Sequence, residues 1–129
     1  MSRLILVVED DVMMQKMALK ILRSRGFRCE LAKDGRQAVA LAASLRPGLI
    51  LMDMSLPEMN GWEATRELKG VPALASIPVV AITAHAMVGD RETALAAGCV
   101  ECLTTPYELA DLVAIAERYA GPPDLLKAG

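Results

Sequence analysis

The chain has 129 residues, 53% apolar and 23% charged, enough for one domain with its own core and too apolar for a disordered segment. Fourteen basic and 16 acidic side chains leave a net charge of −2, which gives no long-range pull on nucleic acid, and one Trp, two Tyr and one Phe are too few for a base-stacking platform. No apolar run approaches the roughly 18 residues of a membrane span, and Glu9-Asp10-Asp11 cuts the first apolar stretch too early for a signal peptide, so a cytoplasmic protein with no membrane or nucleic-acid partner is expected.

Leu4 to Val8 is an unbroken apolar run of strand length, the pattern of a strand covered on both faces in a parallel sheet. Met14, Met17, Ala18 and Ile21 then recur at helical spacing, and Gly26 closes that helix. Arg28 to Ala32 is a poorer strand. Ala38, Leu41, Ala42 and Leu45 mark a second helix ended by Arg46-Pro47-Gly48, after which Leu49 to Met52 is again unbroken. A third helix is expected from about Gly61 to Lys69, a strand over Ile77 to Ile82, a fourth helix ending at Gly98, and a strand over Cys99 to Leu103. Leu109, Leu112, Val113 and Ala116 carry a last helix, which stops at Gly121-Pro122-Pro123. Five strands alternating with five helices predict an α/β domain with a parallel sheet over residues 1–121, followed by a tail of 122–129.

The three cysteines, Cys29, Cys99 and Cys102, are an odd number in a chain with no export signal, so reduced thiols are expected. Cys99-Val100-Glu101-Cys102 has C-x-x-C spacing. On a strand, positions three apart face opposite ways and lie roughly 10 Å apart, beyond the reach of a disulfide.

Open parallel sheets bind ligands beyond the carboxyl ends of their strands. Those ends carry Glu9, Asp10 and Asp11 after the first strand, Asp53 after the third, Thr83 after the fourth and Thr104-Thr105-Pro106 after the fifth. Carboxylates gathered in one crevice repel unless a cation neutralises them, and magnesium, which takes oxygen ligands and keeps several waters, suits such a set. The competing role for the acidic trio is to cap the first helix. Asp53 directly after an apolar strand favours the cation site.

Glu9-Asp10-Asp11, Asp53 with Met54-Ser55-Leu56-Pro57-Glu58-Met59-Asn60-Gly61, Thr83-Ala84, and Pro106 twenty-three residues after that Thr together resemble the receiver domain of bacterial two-component response regulators. The resemblance implies a doubly wound, flavodoxin-like sheet in the order 2-1-3-4-5. It implies Asp53 as phosphoacceptor; magnesium held by Asp10, Asp11, Asp53 and the backbone carbonyl of Ser55; Thr83 as switch hydroxyl; and Pro57, Gly61 and Pro106 as loop residues. A histidine kinase or histidine phosphotransfer protein would be the donor, and a downstream protein the target of what is a signalling module, not an enzyme. His85 borders the path that the hydrolytic water takes in the family and is a candidate modulator.

Two positions depart from the family pattern. Thr105 stands where the family has a lysine, and Cys102 stands where it has the switch aromatic. Lys16, Lys33 and His85 are candidates to replace the missing charge. A haloacid-dehalogenase-type phosphatase would need an Asp at Ser55, and no glycine-rich nucleotide loop occurs. The remaining alternative is a receiver-like module that binds its partner regardless of phosphorylation. No effector domain follows the last helix, so a single-domain protein acting by docking is expected.

Overall fold

The unbroken apolar runs form the middle of a sheet. In the computed structural model, which describes residues 3–56, 59–84 and 88–121 and over 88–91 the backbone alone, β1 (Ile5–Val8), β3 (Leu49–Asp53) and β4 (Val79–Thr83) are buried at every position. Strands covered on both faces must read this way. β2 (Cys29–Ala32) and β5 (Glu101–Thr104) are the edges and have mixed burial. All pairings are parallel and the order is β2-β1-β3-β4-β5, the flavodoxin-like arrangement that the resemblance implies.

Alternation along the strands divides the core into two layers. Leu6, Val8, Ile50, Met52, Val79 and Ala81 face one side, where they meet Ala38 and Ala42 of α2 (Gly35–Leu45), Ala64 and Leu68 of α3 (Gly61–Lys69), and Ala94 of α4 (Val88–Ala97). Ile5, Val7, Leu49, Leu51, Val80 and Ile82 face the other, against Ala18 and Leu22 of α1 (Val12–Ser24) and Leu112, Ile115 and Ala116 of α5 (Leu109–Ala120). Leu22, Leu68 and Leu112 are wholly enclosed, each worth about 1.5–3 kcal/mol of apolar burial.

Two helices end in the same hydrogen-bonded cap. Gly26 (φ 88°) donates to the Arg23 carbonyl at 3.0 Å and Phe27 to the Leu22 carbonyl at 3.1 Å; Gly98 (φ 114°) donates to Leu95 at 3.1 Å and Cys99 to Ala94 at 3.0 Å. These are Schellman motifs, in which a left-handed residue lets two amides return to the last turn. Gly98 has a second duty. A Cβ there would fall 2.7 Å from Cγ of Lys69, whose stem crosses it and whose Nζ donates to the carbonyls of Ala75 and Ile77 at 2.9 and 2.8 Å.

That cap corrects the fifth strand. Cys99 belongs to the end of α4, and β5 starts at Glu101, so strand alternation does not separate Cys99 from Cys102: both pack against the α2–α4 layer, and neither is in a disulfide. Burial pushes the Cys99 thiol up to about 11 and that of Cys29 to about 12, which keeps both protonated and inert at neutral pH. β4 likewise starts at Val79, two residues later than the apolar run suggests, because Pro78 has no N–H for the ladder. On α1 the buried stripe is Gln15, Ala18 and Leu22, while Met14 and Met17 line the crevice above the sheet.

Candidate functional site

The carboxyl ends of β1, β3, β4 and β5 open into a crevice of about 510 Å³, bordered by Glu9, Asp10, Asp11, Met14, Met17, Asp53, Ser55, Ile82, Thr83, Ala84, Thr105 and Pro106. Glu9 follows β1 and Asp53 ends β3; each is only 8% exposed, as is Thr83 at the end of β4. One carboxylate oxygen from each of Glu9, Asp10 and Asp53 lies within 4.8 Å of the others.

Asp53 is fixed by its neighbours. Its Oδ1 accepts the Ser55 N–H at 3.0 Å and the Ser55 hydroxyl at 2.9 Å, and the next residue, Met54, donates to the Ile82 carbonyl at 3.0 Å. The first turn of α3 presses on this corner: a Cβ at Gly61 would sit 2.4 Å from the Asp53 carbonyl oxygen and 2.8 Å from the Met54 α-carbon. Only glycine fits there without a shift of backbone.

Asp11 has a different task from Asp10. Its Oδ1 accepts the N–H groups of Met13 at 2.8 Å and Met14 at 3.2 Å, making it the N-cap of α1. Its carboxylate stands at the crevice border, and the three-acid group is completed by Glu9, not by Asp11. The signal was in the spacing: an Asp immediately before a helical segment is a cap candidate, and Glu9 is the first residue beyond the buried strand.

Crowding has an electrostatic consequence. Burial, and then the neighbouring Asp53, push Glu9 up to about 8, so the cluster holds a proton at neutral pH when no cation is bound. An oxygen set that retains a proton for want of positive charge suits a hard divalent cation. None of the described residues that border the crevice is basic: Lys16 and Lys33 are exposed elsewhere, and His85 lies outside the described residues, as does Pro57.

On the far wall, the Thr105 N–H donates to the Thr83 carbonyl at 2.8 Å, with the Thr105 hydroxyl at 3.5 Å from the same oxygen. The Thr105–Pro106 peptide bond is cis. Cys102 lies on β5, half-buried against the α2–α4 layer. Two residues near the crevice were not legible as such. Gln15 is buried and donates from Nε2 to the Glu9 carbonyl at 2.8 Å, and Tyr107, half-buried in the other layer, has its phenol pushed up by burial and by Glu9. A glutamine on a helix and a tyrosine after a proline carry no distinctive spacing.

The chain resembles known proteins over nearly its full extent. It is 35% identical over 121 residues to the polar-differentiation response regulator DivK of Brucella anthropi, covering 94% of this chain and 98% of that one. Among solved structures, the receiver domain of a Pseudomonas aeruginosa sensor histidine kinase, with a magnesium ion coordinated in its active site cleft, is 40% identical with a TM-score of 0.85, over 92% of this chain and 98% of that one. The Vibrio cholerae chemotaxis protein CheY4, at 24% identity and a TM-score of 0.86 over 92% and 99% of the two chains, shares the fold. The family model of the response regulator receiver domain matches residues 5–117, and the chain belongs to that family.

Proposed function

We propose that Asp53 is the phosphoacceptor of a two-component phosphorelay. The observation that carries this reading is the buried Asp53 carboxylate, oriented by two bonds from Ser55 and gathered with Glu9 and Asp10 in an open crevice. An oxygen of Asp53 attacks the phosphorus of a phosphohistidine on a kinase or phosphotransfer partner; the P–N bond breaks, the imidazole leaves, and an acyl phosphate forms. Ser55 holds the nucleophile's carboxylate plane, and Gln15 holds the Glu9 backbone beside it.

Glu9, Asp10 and Asp53 are the residues that would hold magnesium, with the Ser55 carbonyl as a further ligand and Asp11 confined to capping. Magnesium, when bound, offsets the carboxylate charge and that of the incoming phosphoryl oxygens. Thr83, at the end of β4 on the crevice wall, is the switch hydroxyl that meets the phosphoryl group, and Thr105 offers a neutral hydroxyl where a cation would otherwise assist. Residues 1–121 act as the receiver unit, with 122–129 as its tail, in the cytoplasm, signalling by contact with a downstream protein. No helix of the described residues is long and apolar enough to cross a membrane.

The test is phosphorylation of the wild type and Asp53→Asn by a small phosphodonor with magnesium, followed by intact mass. A phosphoryl adduct in the wild type alone is the expected result. An adduct retained in Asp53→Asn would move the acceptor elsewhere.

A further inference from the structure

At the opposite end of the sheet, three segments that lead into strands enclose a second cavity, of about 270 Å³: Arg3 before β1, Arg46 to Gly48 before β3, and Ala73 and Ser76 to Pro78 before β4. Two arginines line it and, among the described residues, no acidic one does. Among the described residues, neither guanidinium has an ion-pair or hydrogen-bond partner.

The fold fixes the backbone at both arginines and packs the stem of Arg3. The Arg3 N–H donates to the Ala120 carbonyl at 2.8 Å, and the Gly48 N–H donates to the Leu4 carbonyl at 2.8 Å. The Arg3 stem then lies flat on Gly48, where a Cβ would fall 2.3 Å from its Cβ and 2.5 Å from its Cδ. Arg46 caps α2 in the left-handed region, φ 48° and ψ 62°, which a non-glycine residue occupies only at a cost. Side chains fixed before binding lose less freedom when a ligand arrives.

A guanidinium is a planar fork matched to two-oxygen groups. We propose that the cavity is an oxyanion site that takes the phosphate or carboxylate group of a small molecule between Arg3 and Arg46, with Ser76 on its wall. The site is independent of the phosphoacceptor crevice.

The experiment follows backbone amide shifts of the whole chain, saturated with magnesium, as inorganic phosphate or acetate is added against sodium chloride of equal ionic strength. Saturating shifts at Gly48, Ser76 and Ile77 are expected with at least one oxyanion, and the tighter of the two identifies the chemical group. Arg3→Gln and Arg46→Gln, which remove the charge and keep two of the three methylenes, should each weaken binding about tenfold or more, while Asp53→Asn leaves it unchanged. Arg46→Lys retains the charge but loses the fork, so it should weaken binding less and serves if a glutamine variant fails to fold. Shifts that rise without saturation, that chloride reproduces, or that survive both glutamine variants overturn the proposal.

Discussion

Glu9 Oε2 accepts the N–H of Asp11 at 3.1 Å, while the Asp11 carboxylate turns away to cap α1. Adjacent acids therefore point into different environments, one toward Asp53 and one toward a helix end. The division separates two measurable properties, metal affinity and helix stability.

Glu9→Gln and Asp10→Asn should each weaken magnesium binding by about tenfold or more, since each removes a charge from a three-oxygen site. Asp11→Ala should leave magnesium affinity within a few-fold and lower stability by about 1 kcal/mol, the usual worth of an N-cap. Thermal melts across a magnesium titration read both, because a ligand of the native state raises the melting temperature by mass action. A wild-type melt indifferent to millimolar magnesium would remove the metal assignment altogether.

The raised Glu9 sets a pH dependence. Its carboxyl titrates near 4.5 in the unfolded chain and near 8 in the fold, so the native state binds the proton more tightly. Its contribution is complete below about pH 4.5 and is lost as pH rises through about 8. Metal-free protein should lose melting temperature across that window, Glu9→Gln should flatten the loss, and saturating magnesium, which favours the ionised carboxylate, should abolish it. Parallel curves for wild type and Glu9→Gln would assign the effect to another group.

Thr105→Lys should accelerate phosphorylation of Asp53. One preorganised cation aimed at developing charge is worth roughly two to three powers of ten, an upper bound here because magnesium already neutralises part of that charge. The measurement is a time course of acyl phosphate formation in both proteins. Equal rates would show that the crevice obtains its positive charge by another route.

Phosphorylation should shift the face built from α4, β5 and α5 only modestly. Thr105 brings no charge to the phosphoryl group, and Cys102 has no ring to exchange between two packed positions, so little differential affinity is available to move a two-state equilibrium. Amide shifts over Val88–Ala97 and Leu109–Ala120, with and without beryllofluoride, test this. Large concerted changes in both helices would reveal a coupling through other residues.

The order and type of every element were legible because the strand runs are apolar on both faces and the helices are striped. What the pattern did not carry was local hydrogen bonding. Cys99 reads as strand by composition and becomes helix cap through one amide bond to Ala94; Gln15, polar by type, turns inward to the Glu9 carbonyl, while Met14 and Met17 of the same helical stripe line the crevice. At the site, Asp53 and Thr83 were read from strand ends, and Gly61 from the family resemblance. The exchange of roles between Glu9 and Asp11 depends on which carboxylate faces the helix amides, a matter of side-chain direction that residue type alone does not encode.

The Lys69 side chain gives α4 a fulcrum. With its stem across Gly98 and its ammonium bound to the Ala75 and Ile77 carbonyls, it ties the far end of α4 to the segment that enters β4. Ten residues make α4 a lever about 15 Å long, pinned at the end remote from Asp53. Any displacement that the crevice imparts to α4 should therefore be smallest beside Gly98 and largest toward Val88, a gradient that amide shifts along the helix would read.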